Sequence, residues 1–129
     1  MATISRRSLL GAGLALPFAP RLPAAATKGR AGKLLVLGGT RFLGPPIVEA
    51  GLAAGFEVTL FNRGRSNPGR FAKLEQITGD RDTGDLAGLK GRKFDAVVDT
   101  SGYAPLHVQQ VCELLRDNVA HYVFVSTVS

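Results

Sequence analysis

The residues best suited to chemistry form a glycine-rich turn within 34–44, Leu-Leu-Val-Leu-Gly-Gly-Thr-Arg-Phe-Leu-Gly. Four apolar residues lead into the turn and a helical pattern follows it, an arrangement that seats the pyrophosphate of a dinucleotide. Gly38 gives the tight exit from a buried strand, and Gly44 lets the helix pack closely on that strand. The N–H groups of the turn and the N-terminus of the helix would then face the phosphates.

The glycine spacing departs from a regular fingerprint. A wider form of the dinucleotide motif has glycine at three positions, and Arg41 stands at the middle one. Short glycine patterns recur by chance, but the strand before this turn, the helix after it and a second strand further on favour a cofactor site. The alternative is a tight strand-to-helix turn that holds no ligand. We predict that the whole turn contacts the cofactor, that is Gly38, Gly39, Thr40, Arg41, Phe42, Leu43 and Gly44.

The loop after the second predicted strand bears on the choice of cofactor. A protein that binds NAD commonly has an acidic residue here to bond the ribose hydroxyls, whereas this chain has Asn62, Arg63, Gly64 and Arg65. Guanidinium groups bind phosphate well, so these arginines could hold the 2′-phosphate that distinguishes NADP from NAD, and Arg41 could lie close enough to contribute to that pocket. We therefore predict that Asn62 and Arg63 contact the cofactor and that NADP is favoured over NAD. The alternative for the arginines is a solvated loop.

Two further turns follow predicted strands. Asp80, after the third strand, could accept a hydrogen bond from the adenine amino group, and Arg81 could cap that loop; a plain polar turn is the alternative. After the fourth strand come Thr100, Ser101 and Gly102, small residues that would let the backbone approach the cofactor's ribose. We predict cofactor contacts at all five residues.

Alternating elements must position these turns. Apolar runs predict strands at 33–38, 56–61, 74–78, 94–99 and 121–126, and helical spacing predicts helices at 45–55, 82–89 and 105–117. Runs of apolar residues indicate strands that are covered on both faces. The sequence therefore predicts an α/β fold, a doubly wound parallel sheet of the Rossmann type, with strand order 3-2-1-4-5 and a ligand crevice between strands one and four.

The helical spacing also predicts which side chains face the sheet. These are Ile47, Val48, Gly51, Leu52 and Gly55 in the first helix, and Val108, Val111, Cys112 and Leu115 in the last. Cys112, the single cysteine, is interpreted as a small buried hydrophobe. The two histidines have no cysteine or acidic partner at metal-ligand spacing. We expect both at the surface or a helix edge, and no metal site.

The N-terminus has the pattern of an export signal. Arg6 and Arg7 precede a short apolar stretch over 9–20, and small residues follow. The sequence Ser-Arg-Arg-Ser-Leu-Leu over 5–10 resembles the twin-arginine motif, although Leu9 stands where phenylalanine is usual. We predict that 1–32 is a twin-arginine signal with a linker, which exports the protein to the periplasm or beyond. A Sec-type signal and a disordered basic terminus are the alternatives.

Charge and length place further bounds on the chain. Six of the sixteen basic residues and none of the ten acidic residues lie in 1–33, so the rest of the chain carries ten of each. The high isoelectric point is therefore poor evidence for nucleic-acid binding, which we do not expect.

The apolar stretch of the leader is too short for a stable membrane anchor. Because the chain stops at Ser129, directly after an apolar run, we expect 33–129 to be an incomplete nucleotide-binding domain, truncated after strand five.

Together the motifs resemble the NAD-dependent epimerase/dehydratase family, that is the extended or atypical short-chain dehydrogenases. They are Leu-Gly-Gly-Thr-Arg-Phe-Leu-Gly, Leu-Phe-Asn-Arg-Gly, Gly-Asp-Arg, Val-Asp-Thr-Ser-Gly-Tyr and Val-Phe-Val-Ser-Thr-Val-Ser. The resemblance covers 33–129. Arg41 in the turn is similar to the atypical branch that includes chloroplast stem-loop RNA-binding proteins.

The resemblance implies a catalytic site only part of which is in the chain. A Ser or Thr after strand five helps to polarise the substrate in that family, and Thr127 matches this position, with Ser126 as second choice. The family's Tyr-x-x-x-Lys pair is absent, because Tyr103 is followed four residues later by His107, and Tyr122 by Ser126. Neither tyrosine has the lysine that would stabilise a phenolate.

Three functions remain open on this reading. The first is the cofactor-binding portion of an exported NADP-dependent epimerase, dehydratase or reductase, with a nucleotide-sugar-like substrate implied by the family. The second is a non-catalytic dinucleotide-binding module that senses redox state or holds partners together. The third is RNA binding of the stem-loop type, which the neutral charge balance after residue 33 and the predicted export disfavour.

Overall fold

The computed structural model describes residues 31–126. The predicted twin-arginine signal lies almost wholly outside the described residues, and Thr127 lies outside them as well. The fold and the candidate site are therefore described for 31–126.

Five strands form one parallel sheet in the order β3-β2-β1-β4-β5, which confirms the predicted topology. Residues of β1 pair with β2 on one side and with β4 on the other, so the strand order reverses at β1. This reversal leaves a crevice beyond the carboxyl ends of β1 and β4. The strands are β1 Lys33–Leu37, β2 Glu57–Asn62, β3 Glu75–Thr78, β4 Phe94–Asp99 and β5 Val119–Phe124.

Two α-helices connect strands of the sheet. They are α1, Gly44–Ala53, between β1 and β2, and α2, Pro105–Leu115, between β4 and β5. The predicted helix over 82–89 is wrong except for a single 3-10 turn at Ala87–Leu89. Gly84 adopts a positive φ of 74°, and an antiparallel bridge joins Asp80 to Asp85, so this segment turns back on itself before it can become helical.

Hydrophobic clusters lie on both faces of the sheet, as the apolar runs predicted. Leu35 and Leu37 of β1 belong to one cluster, together with residues of the 79–93 crossover and of α2. Leu34 and Val36 belong to the other, where Val48 of α1 covers them. Alternate residues of one strand thus enter opposite layers, and all four are almost completely buried. This packing fixes β1 at the centre of the domain and so fixes the turn that follows it.

The helices face the sheet somewhat differently from the prediction. On α2 the buried residues are His107, Val111 and Leu115, a four-residue spacing, whereas Cys112 is exposed. The interpretation of Cys112 as a buried hydrophobe is therefore wrong. His107, expected at the surface or a helix edge, is buried on α2, whereas His121 is exposed as expected. On α1, Leu52 is 41% exposed, because the stripe that meets the sheet runs through Val48 and Gly51.

Two absences hold for the residues that the structure describes. None of the helices within 31–126 is long and apolar enough to cross a membrane. Within the same range, His, Cys, Asp and Glu side chains form no group of three or more that could hold a metal ion.

Candidate dinucleotide-binding site

A cavity of about 530 Å³ opens at the carboxyl end of the sheet, within the size range of small-molecule sites. Its walls are the segments that follow all five strands, with one side chain from α2. Because the strands are parallel, their carboxyl ends meet at one edge, which brings together turns that are far apart in sequence. The lining is Gly38, Thr40–Leu43, Phe61–Ser66, Gly79–Asp82, Thr100–Tyr103, His107 and Phe124–Ser126.

Gly38 is required by the junction of β1 and β4. Its φ is +87°, and a Cβ there would lie 2.8 Å from both Ser101 Cβ and Thr100 Oγ1. The Thr100 hydroxyl donates to the carbonyl oxygen of Leu37 at 2.8 Å, so the two strand ends are bonded side by side. A side chain at position 38 would push these ends apart and fill the floor of the crevice.

Gly39 and Gly44 pack the turn and do not line the cavity. A Cβ on Gly44 would lie 2.5 Å from the carbonyl oxygen of Gly38, and one on Gly39 would lie 2.7 Å from Leu60 Cδ2. Both glycines therefore let the start of α1 approach the turn and the sheet. The predicted role of Gly44 in close packing agrees with this geometry.

Backbone donors of the turn are free to meet a ligand. Pro45 and Pro46 have no N–H, and the N–H of Gly44 donates to the carbonyl oxygen of Arg41 at 2.8 Å. Among the residues described, no protein acceptor takes the N–H groups of Arg41, Phe42 or Leu43. The unpaired donors thus lie in the turn itself. The first turn of α1, which the sequence predicted would also face the phosphates, offers none, because the Ile47 N–H donates to the carbonyl oxygen of Leu43.

The loop after β2 carries the predicted cationic groups and is tied to the turn. Arg63 and Arg65 line the cavity together with Arg41. The side-chain oxygen of Asn62 accepts the N–H of Gly64 at 2.7 Å, which shapes the start of the loop. The amide of Asn67 donates to the carbonyl oxygen of Thr40 at 2.8 Å. The three guanidinium groups are therefore held on segments that contact each other.

Arg81 does not cap its loop as predicted but turns into the protein. Its side chain is only 7% exposed and forms two hydrogen bonds with the carboxylate of Asp99, of 2.7 and 2.8 Å. Nη1 also donates to the hydroxyl of Ser101 at 3.2 Å. Asp80 remains at the cavity wall, where its carboxylate accepts the N–H of Asp82 at 2.9 Å. Sequence reasoning missed Asp99 because a strand-end aspartate gives no local sign of its partner.

Asp99 is completely buried and accepts further hydrogen bonds from the Tyr122 hydroxyl at 2.6 Å and the Ser101 N–H at 3.0 Å. Burial acts to raise the pKa of Asp99, but its hydrogen bonds from Arg81, Tyr122 and Ser101 outweigh this and hold that pKa below its usual value. Burial, followed by the hydrogen bond to the Asp99 carboxylate, raises the pKa of Tyr122 far above its ordinary range. The Tyr122 hydroxyl thus donates to Asp99 as a neutral group.

His107 reaches the cavity from α2 and contacts the segment after β3. Its Nε2 lies 2.9 Å from Asp82 Oδ1, and its buried Nδ1 has no partner among the described residues. Asp82 also lies near Arg63, with 3.7 Å between Oδ2 and Nη1. Since 25 residues separate Asp82 from His107, no short motif could have indicated this contact.

Most of the predicted site residues meet at one place. The cavity is lined by every predicted cofactor residue except Gly39 and Gly44, which support it from behind. Ser126, the second choice for the Ser/Thr position, also lines it, whereas Thr127 lies outside the described residues. Cofactor contact at these residues stays a prediction.

Comparison with solved structures identifies the fold. A UDP-galactose 4-epimerase superposes with a TM-score of 0.60 at 23% identity, over 74% of this chain and 38% of that one. The dTDP-glucose 4,6-dehydratase of Bacillus anthracis, solved in complex with NAD, gives 0.59 at 19% identity, over 75% and 38%. The chain has the nucleotide-binding fold of the NAD-dependent epimerases and dehydratases. The predicted resemblance is confirmed at this level, and the chain spans less than two fifths of the length of these neighbours.

A curated relative is similar to this chain in sequence. The chloroplast stem-loop binding protein of 41 kDa b from Arabidopsis thaliana is 33% identical over 110 residues, which cover 74% of this chain and 29% of that protein. No protein-family model matches the sequence. The resemblance of the turn around Arg41 to the stem-loop branch thus extends to much of the chain.

Proposed function

We propose that this chain is the NADP-binding portion of an epimerase, dehydratase or reductase of the NAD-dependent epimerase/dehydratase family. The observation that carries the proposal is the open cavity at the β1–β4 reversal, with free N–H groups at Arg41, Phe42 and Leu43 on its edge. A diphosphate needs unpaired donors beside a tight turn and an open space, and the unpaired N–H groups at the edge of this cavity support its binding here.

The residues around the turn suit the remaining parts of a dinucleotide. The small residues Thr100, Ser101 and Gly102 leave room for a ribose beside β4, and Gly38 leaves space at the floor. Asp80 is available beyond β3 for the adenine amino group. We infer that the adenosine half lies over β2 and β3 and that the nicotinamide lies towards β4 and β5, where Ser126 lines the cavity.

Three guanidinium groups favour the phosphorylated cofactor. Arg41, Arg63 and Arg65 line the cavity, and neither of the last two residues of β2, Phe61 and Asn62, is the acid that would bond a free 2′-hydroxyl. Guanidinium groups bind phosphate through paired, charge-assisted hydrogen bonds. These three side chains support a preference of this chain for NADP over NAD.

The chemistry follows from the family and is proposed on that basis. NADP would supply a hydride acceptor beside the substrate. The hydroxyl group of Thr127, or that of Ser126 as second choice, would polarise the reacting group of the substrate. A nucleotide-sugar-like substrate is supported by the neighbours named for UDP-galactose and dTDP-glucose. We further propose export by the twin-arginine route, which moves folded proteins and so suits one that binds its cofactor in the cytosol.

Titration of the chain with NADPH and NADH, followed by nucleotide fluorescence, tests the function. We expect binding of both and tighter binding of NADPH. The substitution Gly38→Ala places a Cβ against Ser101 at a residue with positive φ. We expect it to weaken the binding of NADPH by about tenfold or more. Gly69→Ala is the matched control, since a Cβ at Gly69 meets no atom within 4 Å. Absence of binding for both nucleotides would refute the proposal, as would wild-type affinity in a folded Gly38→Ala protein.

A second candidate function is binding of RNA, which two exposed aromatic rings favour. Phe42 is 88% exposed and Tyr103 is 85% exposed, and both line the cavity beside Arg41 and Arg65. Bases of single-stranded RNA stack on such rings while guanidinium groups meet the phosphates. The curated relative is named for stem-loop binding.

A labelled RNA stem-loop distinguishes the two functions. If RNA is the ligand, the stem-loop binds at about 150 mM salt, and the double variant Phe42→Ser/Tyr103→Ser, which removes both rings, loses that binding. The leading proposal expects no stem-loop binding at this ionic strength.

A further inference from the structure

Asp82 links two walls of the cavity. Its Oδ1 lies 2.9 Å from Nε2 of His107 on α2, and its Oδ2 lies 3.7 Å from Nη1 of Arg63 in the loop after β2. Its backbone N–H donates to the carboxylate of Asp80, which fixes the residue at the rim. One carboxylate therefore stands between a cation at the cofactor cavity and a largely buried histidine.

We propose that Asp82 is a specificity-determining residue that competes for Arg63 and so limits the preference for a 2′-phosphorylated dinucleotide. This inference rests on the proposed function. Arg63 interacts with Asp82 when no phosphate is present, and a 2′-phosphate has to draw the guanidinium away. Asp82 thereby restrains the affinity for NADP more than the affinity for NAD.

The two contacts of Asp82 differ in length and exposure, and this difference determines which contact breaks when a phosphate binds. The pair with Arg63 is long, and both side chains are about half exposed, so water can replace either partner at small cost. The contact with His107 is short, and the histidine side chain is 11% exposed. Asp82 therefore stays at the rim when Arg63 leaves, and its negative charge remains near the bound phosphate.

Arg63 is distinguished from the other cavity arginines by this competition. Among the described residues, neither Arg41 nor Arg65 lies within 4 Å of a carboxylate oxygen, whereas Arg63 does. A phosphate can bind Arg41 and Arg65 without displacing a carboxylate of the protein. The effect of Asp82 on a phosphorylated ligand therefore acts mainly through Arg63, and it can be measured as a coupling between these two residues.

The test is the ratio of dissociation constants for NADH and NADPH in Asp82→Asn, a change that keeps the shape and an oxygen acceptor for His107. We expect NADPH to bind about two- to fivefold more tightly and NADH affinity to stay nearly unchanged. Asp117→Asn is the matched control, because it removes the same charge from an exposed residue just before β5, at the opposite edge of the sheet. The ratio of the dissociation constants for NADH and NADPH in this control should equal the wild-type ratio.

A double-variant cycle with Arg63→Ala completes the experiment. With Arg63 removed, Asp82→Asn should improve NADPH binding by no more than about half of its single effect on a logarithmic scale. Asp82→Ser serves as a second variant should Asp82→Asn fail to fold. If the ratio is unchanged while NADPH still binds, or if both affinities fall together, the inference is wrong and the proposed function stands. If neither nucleotide binds the wild type, both are wrong.

Discussion

Arg81 and Asp99 form a doubly hydrogen-bonded ion pair beneath the candidate site, with N–O distances of 2.7 and 2.8 Å. The pair joins the segment after β3 to the last residue of β4 across a sheet in which these strands are not neighbours. Both side chains are almost completely buried, so each charge depends on the other for compensation. The floor of the cavity is therefore fixed by a long-range electrostatic contact as well as by the glycine turn.

Removing one partner of this pair should destabilise the protein strongly. Arg81→Met leaves the Asp99 carboxylate buried without its cation, and we expect a loss of about 3–5 kcal/mol in the free energy of unfolding. Arg92→Met is the control, because Arg92 pairs with Glu75 in the same two-fold manner but at the surface. That substitution should cost about 1 kcal/mol or less. Urea denaturation at pH 7 measures both, and equal losses would contradict the role of burial.

The low pKa of Asp99 predicts a particular dependence of stability on acid. Because folding lowers this pKa, the carboxylate contributes stability above its unfolded pKa of about 3.9, and this contribution is lost as the pH falls through the folded value. The difference in unfolding free energy between wild type and Asp99→Asn should be constant from pH 7 to pH 5 and shrink below about pH 4. Urea titrations over pH 3–7 test this, and a difference that grows with acid would contradict it.

Tyr122 should show the opposite dependence. Folding raises its pKa, so the neutral phenol contributes stability below its unfolded pKa of about 10, and this contribution is lost as the pH rises beyond that value. We expect Tyr122→Phe to cost about 1.5–3 kcal/mol at pH 7, the usual contribution of a hydrogen bond to a charged group. Between pH 9 and pH 11 the variant should lose less stability than the wild type. Tyr103→Phe is the control, since Tyr103 is largely exposed.

Export by the twin-arginine route can be tested in the leader alone. Replacing Arg6→Lys and Arg7→Lys keeps the positive charge but removes both guanidinium groups, and we expect the precursor to stay in the cytoplasm. Cell fractionation and immunoblotting measure the distribution. Arg21→Lys is the control and should be exported normally. Continued export of the double variant would point to a Sec-type signal instead.

Local patterns determined the layout of the domain. Leu34–Leu37 is apolar on both faces, which requires layers on both sides of the sheet, and the alternation of elements then leads to the observed order of strands. The ends of the strands differ from the prediction where pairing between strands determines them. For example, β5 begins at Val119, which pairs with Phe94, rather than at residue 121. The helix expected at 82–89 fails because Gly84 turns the chain while Asp80 bridges to Asp85.

The sequence by itself determined where the glycine-rich turn lies and which segments surround it, because glycines, apolar runs and strand-end residues act on the chain close to them. Tertiary structure decided which way the polar side chains point. Arg81 turns inward to Asp99, and His107 is buried against Asp82, since each partner comes from another crossover of the sheet. Cys112 is exposed because the packing of α2 turns another stripe inward. Charge pairing and helix rotation depend on distances that only the folded chain sets.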